Sequence, residues 1–243
     1  MNKSMFLPIL KTDSKNIRKK ALVCGDPGRA DQIAAFLSEP EEISYNREYK
    51  LLNGLYNKIP ISVLSHGVGG PGAGVAFKEL IKGGAEEIIR VGTAGSLSRD
   101  IKDGDLVIAS AAVRNDGLTE QLVDLAYPAV ADWELVAKLN RTAEDLEIKT
   151  STGIVSTIAA FYPELEELSN NYFSQAEAIA VEMEVSALFV IASLNNIKAA
   201  AVLAIDGMAI DFDADNYDPH REKVSQAVEK EIVLALEALT GLN

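Results

Sequence analysis

The sequence is poor in the residues that form disulfide bridges and transition-metal sites. Its 243 residues include one cysteine, Cys24, and only two histidines. A single cysteine excludes a disulfide within the chain and suits a reducing compartment, so we expect a cytoplasmic protein. With so few sulfur and imidazole ligands, we also expect no metal site.

Long apolar runs and surplus positive charge are missing as well. No stretch approaches the roughly 18 uncharged apolar residues that a membrane span requires, and residues 1–20 lack the apolar segment of a signal peptide. The formal net charge is −13, so the surface repels nucleic acid. An anionic substrate would therefore need local positive charge, which makes arginines among small residues informative.

The chain contains many short apolar segments at regular spacing. Hydrophobic residues make up 48% of it, enough for one sizeable core, and no repeat or linker divides residues 1–243, so one domain is predicted. β-rich runs alternate with helical patterns, which predicts an α/β fold with a mixed or largely parallel sheet flanked by helices. Strands are predicted at 21–24, 43–56, 59–65, 87–91, 106–113, 150–156 and 199–205. Helices are predicted at 27–37, 75–82, 132–146, 185–194 and 220–239.

Ligands of such folds bind beyond the carboxyl ends of the strands. One segment at such an end runs from Gly25 to Arg29 and joins a predicted strand to a helix that Asp26 caps. Unpaired N–H groups and the helix dipole favour an anion there, and Arg29 adds charge. An ordinary tight turn with a solvated arginine fits the same residues.

Arg90 lies within an apolar strand and is followed by a short loop that contains Thr93. A buried arginine needs a partner, because an unpaired buried charge is costly. The loop after it favours a bound anion, although a structural salt bridge is the alternative. Arg47 is less distinctive, and by its sequence context it is a surface residue.

The segment 67–72 formally matches the GxGxxG pattern of dinucleotide-binding folds. Pro71 interrupts it, and the next strand ends at Arg90 and Val91 rather than at an acidic residue, so we assign no dinucleotide site. A loop that lets the backbone approach a small ligand fits better.

Three acidic residues stand at the ends of elements. Glu182 and Glu184 open a predicted helix. Because they are two positions apart, their side chains would point to different faces of that helix. We interpret them as acidic residues at a helix start, which the helix dipole favours. Asp206 ends a very apolar strand, and the alternatives are an Asp-Gly turn or a carboxyl whose raised pKa lets it donate a proton near neutral pH. Cys24 and His66 are interpreted as strand-packing residues, not as a nucleophilic pair.

Three ordered motifs carry a resemblance to a known family. They are Gly25-Asp26-Pro27-Gly28-Arg29, Arg90-Val91-Gly92-Thr93-Ala94-Gly95 and Val181-Glu182-Met183-Glu184. In order and spacing they resemble the hexameric nucleoside phosphorylases, which include bacterial purine nucleoside and uridine phosphorylases. The resemblance covers residues 17–239, and further segments at 45–50, 65–69 and 205–207 are most similar to the protozoan-type purine enzymes.

The resemblance implies a site for phosphate and a nucleoside. It places phosphate on Gly25, Arg29, Arg90 and Thr93, with Arg47 reaching in from a neighbouring subunit of a homo-oligomer, a trimer of dimers in this family. It places ribose on Met183 and Glu184 with Glu182 in support, the base along Phe161 and Tyr162, and Phe212 on a mobile loop at 208–218. Asp206 would protonate the leaving purine. Phosphate is then a co-substrate, and no metal or organic cofactor is implied.

Two departures from the family pattern bear on substrate choice. Uridine phosphorylases place a glutamine and an arginine shortly after the Phe-Tyr-Pro segment, where this chain has Glu164-Leu165-Glu166-Glu167. The family often supplies an N-terminal histidine to the 5′-hydroxyl, where this chain aligns Ile9. A purine substrate is therefore expected, and an apolar 5′ pocket would suit a 5′-methylthio nucleoside.

Three rival functions remain at this point. A uridine phosphorylase is the nearest alternative. A nucleosidase of the same fold would use water and have no need of Arg29 and Arg90. A storage or binding protein would not require Glu184 and Asp206.

Overall fold

A computed structural model describes residues 4–162, 164–210 and 221–241. The strands are β1 (Phe6–Leu7), β2 (Thr12–Asp13), β3 (Lys20–Cys24), β4 (Ser38–Asn46), β5 (Tyr49–Tyr56), β6 (Ile59–Ser65), β7 (Glu87–Ser96), β8 (Leu106–Asn115), β9 (Ala129–Val130), β10 (Thr150–Ile158), β11 (Ala180–Glu182) and β12 (Lys198–Met208). The helices are α1 (Pro27–Ala34), α2 (Gly70–Gly83), α3 (Trp133–Asp145), α4 (Asn170–Gln175), α5 (Val185–Leu194) and α6 (Glu222–Thr240). None of the helices in these ranges is long and apolar enough to cross a bilayer.

Most strands belong to one mixed sheet with the order β11-β10-β8-β12-β7-β3-β6-β5-β4. The pairs β3–β6, β3–β7, β7–β12, β8–β10 and β10–β11 are parallel, whereas β8–β12, β4–β5 and β5–β6 are antiparallel. β11 also pairs with β7 in antiparallel fashion. The strands β7, β12, β8, β10 and β11 therefore close into a ring, and β11 has a partner on both sides.

Helices cover both faces of this sheet. On one face α2 and α5 pack through a cluster that includes Phe77, Leu80, Leu188 and Phe189. On the other face α1, α3 and α6 contribute to a second cluster of buried residues. The mixed sheet flanked by helices confirms the predicted fold class.

Several predicted boundaries were wrong. The predicted strand 43–56 is a hairpin of β4 and β5, because the chain reverses at Arg47, which adopts a left-handed φ of 58° without a glycine to signal the turn. The predicted helix at 75 begins at Gly70, since Pro71 in its first turn needs no N–H partner. The predicted strand 87–91 continues to Ser96 through glycines that pair with β12.

Candidate active site

The ends of β7, β10, β11 and β12 and the loops after β3 and β6 surround one cavity of about 770 Å³. Most of the predicted site residues line it: Gly25, Arg29, Arg90, Thr93, Phe161, Tyr162, Glu182, Met183, Glu184 and Asp206. Arg47 does not line the cavity; it is exposed on the turn between β4 and β5. Phe212, and residues 211–218 of the predicted mobile loop, lie outside the described residues.

Arg90 projects from β7 and is buried among groups that accept hydrogen bonds from its guanidinium. Its Nη2 atom lies 2.5 Å from Oε2 of Glu184 and 3.4 Å from Oε2 of Glu182. Its Nη1 atom lies 3.3 Å from Nε2 of His66, while Nε finds no partner in the described parts of the chain. Although burial lowers it, the pKa of Arg90 is raised overall by the nearby carboxylates, Glu184 first. The guanidinium is thus a permanent buried cation in the cavity wall.

Glu182 and Glu184 are acids at a helix start, as predicted, because Glu184 is the N-cap residue of α5 and Glu182 accepts from the Val185 N–H. The prediction that they point to different faces of the helix was wrong. Glu182 ends β11 and Glu184 precedes the first residue of α5, so both carboxylates converge on Arg90. Glu182 also accepts from the Thr157 hydroxyl at 2.6 Å and from the Glu184 N–H at 2.7 Å. Burial raises the pKa of Glu182, against the attraction of Arg90. Glu184 in turn accepts from the Gly69 N–H at 2.5 Å, which ties it to the glycine loop.

His66 and Cys24 are buried, as their interpretation as packing residues requires. The Nδ1 atom of His66 lies 2.8 Å from the carbonyl oxygen of Gly67, so it carries the proton and leaves Nε2 to accept from Arg90. Burial and the charge of Arg90 hold the pKa of His66 well below its usual value. Burial raises the pKa of Cys24 to about 12, so its thiol is not an activated nucleophile.

The segment from Gly25 to Arg29 has the predicted local structure. The Asp26 side chain accepts from the Gly28 N–H and caps α1, whose first turn contains Pro27. Arg29 follows in that turn, and its Nη1 atom lies 2.8 Å from Oε1 of Glu231 on α6. Only one of its five N–H donors is needed for this bond.

Asp206 lies within β12 rather than in a turn after it. The pairing of β12 with β7 shifts by one residue between Ile205 and Gly207, so Asp206 occupies a bulge and lines the cavity while only 3% exposed. Its backbone oxygen accepts from Arg221 at 2.7 Å, just before α6 begins. The bulge turns this carboxyl into the cavity at the end of an otherwise apolar strand.

Aromatic and apolar side chains line the cavity wall after β10. The rings of Phe161 and Tyr162 meet edge to face with centroids 4.9 Å apart, and Ile158 and Leu168 line the same cavity. Asn170 is the polar residue among them: its Nδ2 donates to the Ala209 carbonyl, whereas its Oδ1 is buried and has no partner in the described residues. This wall can stack a flat ring.

Sequence reasoning missed three residues at or behind this cavity. Glu48 and Asn170 line it without any local signal, because the first follows an unrecognised turn and the second begins a short helix. Glu231 had a signal: it is a glutamate on the apolar stripe of α6, between Val228 and Leu234. A charged residue on a buried helix face is uncommon and indicates a specific partner.

Gly92 is required because the Arg90 guanidinium packs over it. A Cβ atom built at Gly92 would lie 2.8 Å from Nη1 and 3.0 Å from Cζ of Arg90. We expect Gly92→Ala to displace the guanidinium and to weaken, about tenfold or more, the phosphate binding that the family resemblance implies for Arg90, since a misplacement near 1 Å can cost about 100-fold. Calorimetric titration with inorganic phosphate measures the effect. Gly72→Ala is the matched control, because its Cβ would meet nothing closer than 3.4 Å; an unchanged affinity in the Gly92 variant would contradict the requirement.

The comparisons with known proteins agree on one family. Residues 19–240 match the model of the phosphorylase superfamily. The purine nucleoside phosphorylase of Plasmodium falciparum is 37% identical over 240 residues, 96% of this chain and 95% of that protein. The guanosine phosphorylase of Halorubrum lacusprofundi is 33% identical over 238 residues, 97% and 98% of the two chains, and other relatives are named uridine phosphorylase.

A solved structure extends the agreement to three dimensions. The purine nucleoside phosphorylase from Toxoplasma gondii, in complex with immucillin-H, superimposes with a TM-score of 0.93 at 30% identity and covers 98% of this chain and 97% of its own. Family match, sequence identity and fold therefore coincide over nearly the whole chain, and the protein belongs to the phosphorylase superfamily.

Proposed function

We propose that this protein is a purine nucleoside phosphorylase, which uses inorganic phosphate to cleave the N-glycosidic bond and releases a free purine and a (deoxy)ribose 1-phosphate. The arrangement inside one cavity carries the proposal. Two arginines, Arg29 and Arg90, line it together with the buried carboxyl of Asp206. The β7–β12 register places Asp206 just beyond the level of Ala94, four residues from Arg90, so roughly 13 Å of strand separates them. That distance leaves room for a sugar between a phosphate and a base.

The roles of the residues follow from their chemistry. Arg29, Arg90, Thr93 and the N–H groups near Gly25 supply donors for phosphate. Glu184, supported by Glu182 and beside Met183, accepts from the ribose hydroxyls. Phe161, Tyr162 and Phe212 flank the base.

The reaction builds charge of opposite signs on its two fragments. As the bond to the base lengthens, ribose gains oxocarbenium character and the base gains negative charge. The bound phosphate stabilises the first and then attacks C1′ from the opposite face, while Asp206 donates a proton to the leaving base. The proposed reaction uses phosphate as co-substrate and requires no organic cofactor or metal.

Arg47 supports an oligomeric enzyme. Its side chain is exposed on the β4–β5 turn and does not line the cavity of its own chain. We infer that it completes the phosphate site of a neighbouring subunit, in a homo-oligomer of at least two and by family resemblance six chains. We expect this assembly to act in the cytoplasm.

The base end of the cavity favours a purine over uridine. Glu164, Leu165, Glu166 and Glu167 are exposed and none lines the cavity, so no glutamine–arginine pair is present there to bind uracil.

Base release from four nucleosides, each with and without phosphate, tests the proposal. With inosine, adenosine, 5′-methylthioadenosine and uridine, we expect phosphate-dependent release of a purine and little release of uracil. Greater release from 5′-methylthioadenosine than from adenosine would favour the apolar 5′ pocket inferred at Ile9, whereas equal release would argue against a specialised pocket. Cleavage without phosphate would identify a nucleosidase, preference for uridine a uridine phosphorylase, and inactivity on all four a binding protein.

A further inference from the structure

A buried carboxyl group lies directly behind the proposed phosphate site. Glu231 is on α6, its side chain is fully buried, and its helix neighbours Ala227, Val228, Leu234 and Ala235 pack in an apolar cluster. A carboxylate there loses its hydration, a cost that only specific partners offset. An apolar residue would serve packing alone.

The partners of Glu231 are two parts of the cavity wall. Its Oε1 atom accepts from Nη1 of Arg29 at 2.8 Å, and its Oε2 atom accepts from the Gly92 N–H at 3.3 Å. Arg29 and Gly92 both line the cavity, whereas Glu231 does not. One carboxyl group therefore joins the first turn of α1 to the glycine segment of β7.

Burial makes Glu231 a carboxyl group that changes protonation near neutral pH. Burial raises the pKa of Glu231 to about 8, against Arg29, Arg90 and the N–H groups of Gly92 and Ala204, which lower it. The groups facing it from other elements are Arg29 on α1, Arg90 on β7 and the thiol of Cys24 on β3, beside which Asp26 caps α1. The two arginines stay charged, and the pKa of Cys24 at about 12 keeps that thiol neutral.

We propose that Glu231 is the positioning residue of the phosphate subsite, which holds Arg29 and the Gly92 N–H in place and, in its protonated form, leaves the charge of Arg29 to the bound phosphate. This inference rests on the proposed function. Glu231 and phosphate share one guanidinium, so a negative Glu231 and a phosphate dianion repel each other across it. Binding phosphate therefore favours the protonated carboxyl, and by linkage a rise in pH that removes this proton weakens phosphate binding.

A purely structural role makes a different prediction. If the ion pair between Arg29 and Glu231 only joined α1 to α6, substitutions at Glu231 would lower stability and leave phosphate affinity and its pH dependence unchanged. The test therefore compares the KM for phosphate from pH 7 to 9.5 in the wild-type enzyme, Glu231→Gln and Glu231→Met. Glutamine keeps one accepting oxygen for Arg29 or the Gly92 N–H but cannot titrate, and methionine removes both acceptors.

We expect the wild-type KM for phosphate to rise about tenfold over this range, the change that one pKa unit of coupling produces. Glu231→Gln should raise this KM at pH 7 by less than Glu231→Met does, because it keeps one of the two acceptors, and its KM should stay within about twofold of its own pH 7 value up to pH 9.5. Glu231→Met should raise this KM about tenfold or more at pH 7, while the KM for inosine stays unchanged. Glu237→Gln is the matched control, because Glu237 is on the same helix, bonds the Tyr56 hydroxyl at 2.8 Å and does not line the cavity.

The same rise with pH in Glu231→Gln, or a normal phosphate KM in Glu231→Met, would overturn the inference while leaving the phosphorylase intact. If Glu231→Met does not fold, the pH profile of Glu231→Gln decides. Calorimetric titration of the wild type and Glu231→Gln with inorganic phosphate tests the subsite without turnover. A protein that binds phosphate but does not cleave nucleosides with it would contradict the proposed function. A protein that binds no phosphate would overturn both the proposed function and the inference about Glu231.

Discussion

Replacing Asp206 with asparagine should lower kcat for inosine phosphorolysis about 10²–10⁴-fold, the usual contribution of a general acid. The buried amide keeps the shape of the carboxyl at the bulge of β12 but has no proton to give to the leaving base. Phosphate binding should change less than about twofold, because Asp206 lies roughly 13 Å along the sheet from Arg90. Steady-state kinetics on inosine and calorimetric titration with phosphate measure the two effects.

A substrate that needs no proton separates acid catalysis from a structural role. The base of 7-methylguanosine already carries a positive charge and leaves without protonation, so Asp206→Asn should cleave it at nearly the wild-type rate. An equal loss on inosine and 7-methylguanosine would assign Asp206 a structural role. Asp100→Asn, at an exposed position, is the control for the substitution itself.

Replacing Arg90 with methionine should have the largest effect on stability. Methionine fills a similar volume but leaves the carboxylates of Glu182 and Glu184 buried without their cation. Removing one partner from a buried ion pair typically costs about 3–5 kcal/mol. Phosphorolysis should fall together with stability, since the variant also loses a donor of the proposed phosphate site. Urea unfolding at one fixed protein concentration measures the loss of stability, because the stability of the proposed oligomer would depend on concentration.

A second substitution tests the electrostatic origin of that loss. Adding Glu184→Gln to Arg90→Met removes one uncompensated charge, so the double variant should be more stable than the single variant while remaining inactive. A double variant that is less stable than Arg90→Met would contradict this explanation. The matched control is Arg141→Met on the exposed face of α3, which should stay within about 0.5 kcal/mol of the wild type.

The sequence predicted the elements of the fold better than their ends. The helix at Val185–Leu194 was predicted with its observed bounds, since it is apolar throughout and flanked by polar residues. Strands β7 and β12 run past their predicted ends, because Gly92–Gly95 and Asp206–Gly207 were interpreted as loops, although Gly92–Gly95 pair with residues 203–207 of β12 around the bulge at Asp206. In a sequence, glycines at a site where the backbone meets a ligand resemble a loop. Only the pairing with a neighbouring strand shows that they belong to a strand.

The candidate site could be predicted where a motif is contiguous, and not where it depends on packing between distant elements. Gly25 to Arg29 is a short run with an interpretable local chemistry, and Glu182 to Glu184 is a short run that the family resemblance assigns to the site. Glu231 is 202 positions from its partner Arg29, and Asn170 lines the cavity only because α4 lies beside Ala209. No local pattern links such residues, although the charge on the apolar stripe of α6 was visible.

The ring closed by β11 fixes the register of the strand that carries Glu182 at the proposed ribose end of the cavity. β11 has only three residues, yet its main chain is held by β10 on one side and by β7 on the other. Side chains alternate along a strand, so a slip of one residue would exchange the directions of Glu182 and its neighbour. With both edges occupied, such a slip has to break two ladders at once. The position of Glu182 is therefore set by the main chain as well as by its contacts with Arg90 and Thr157.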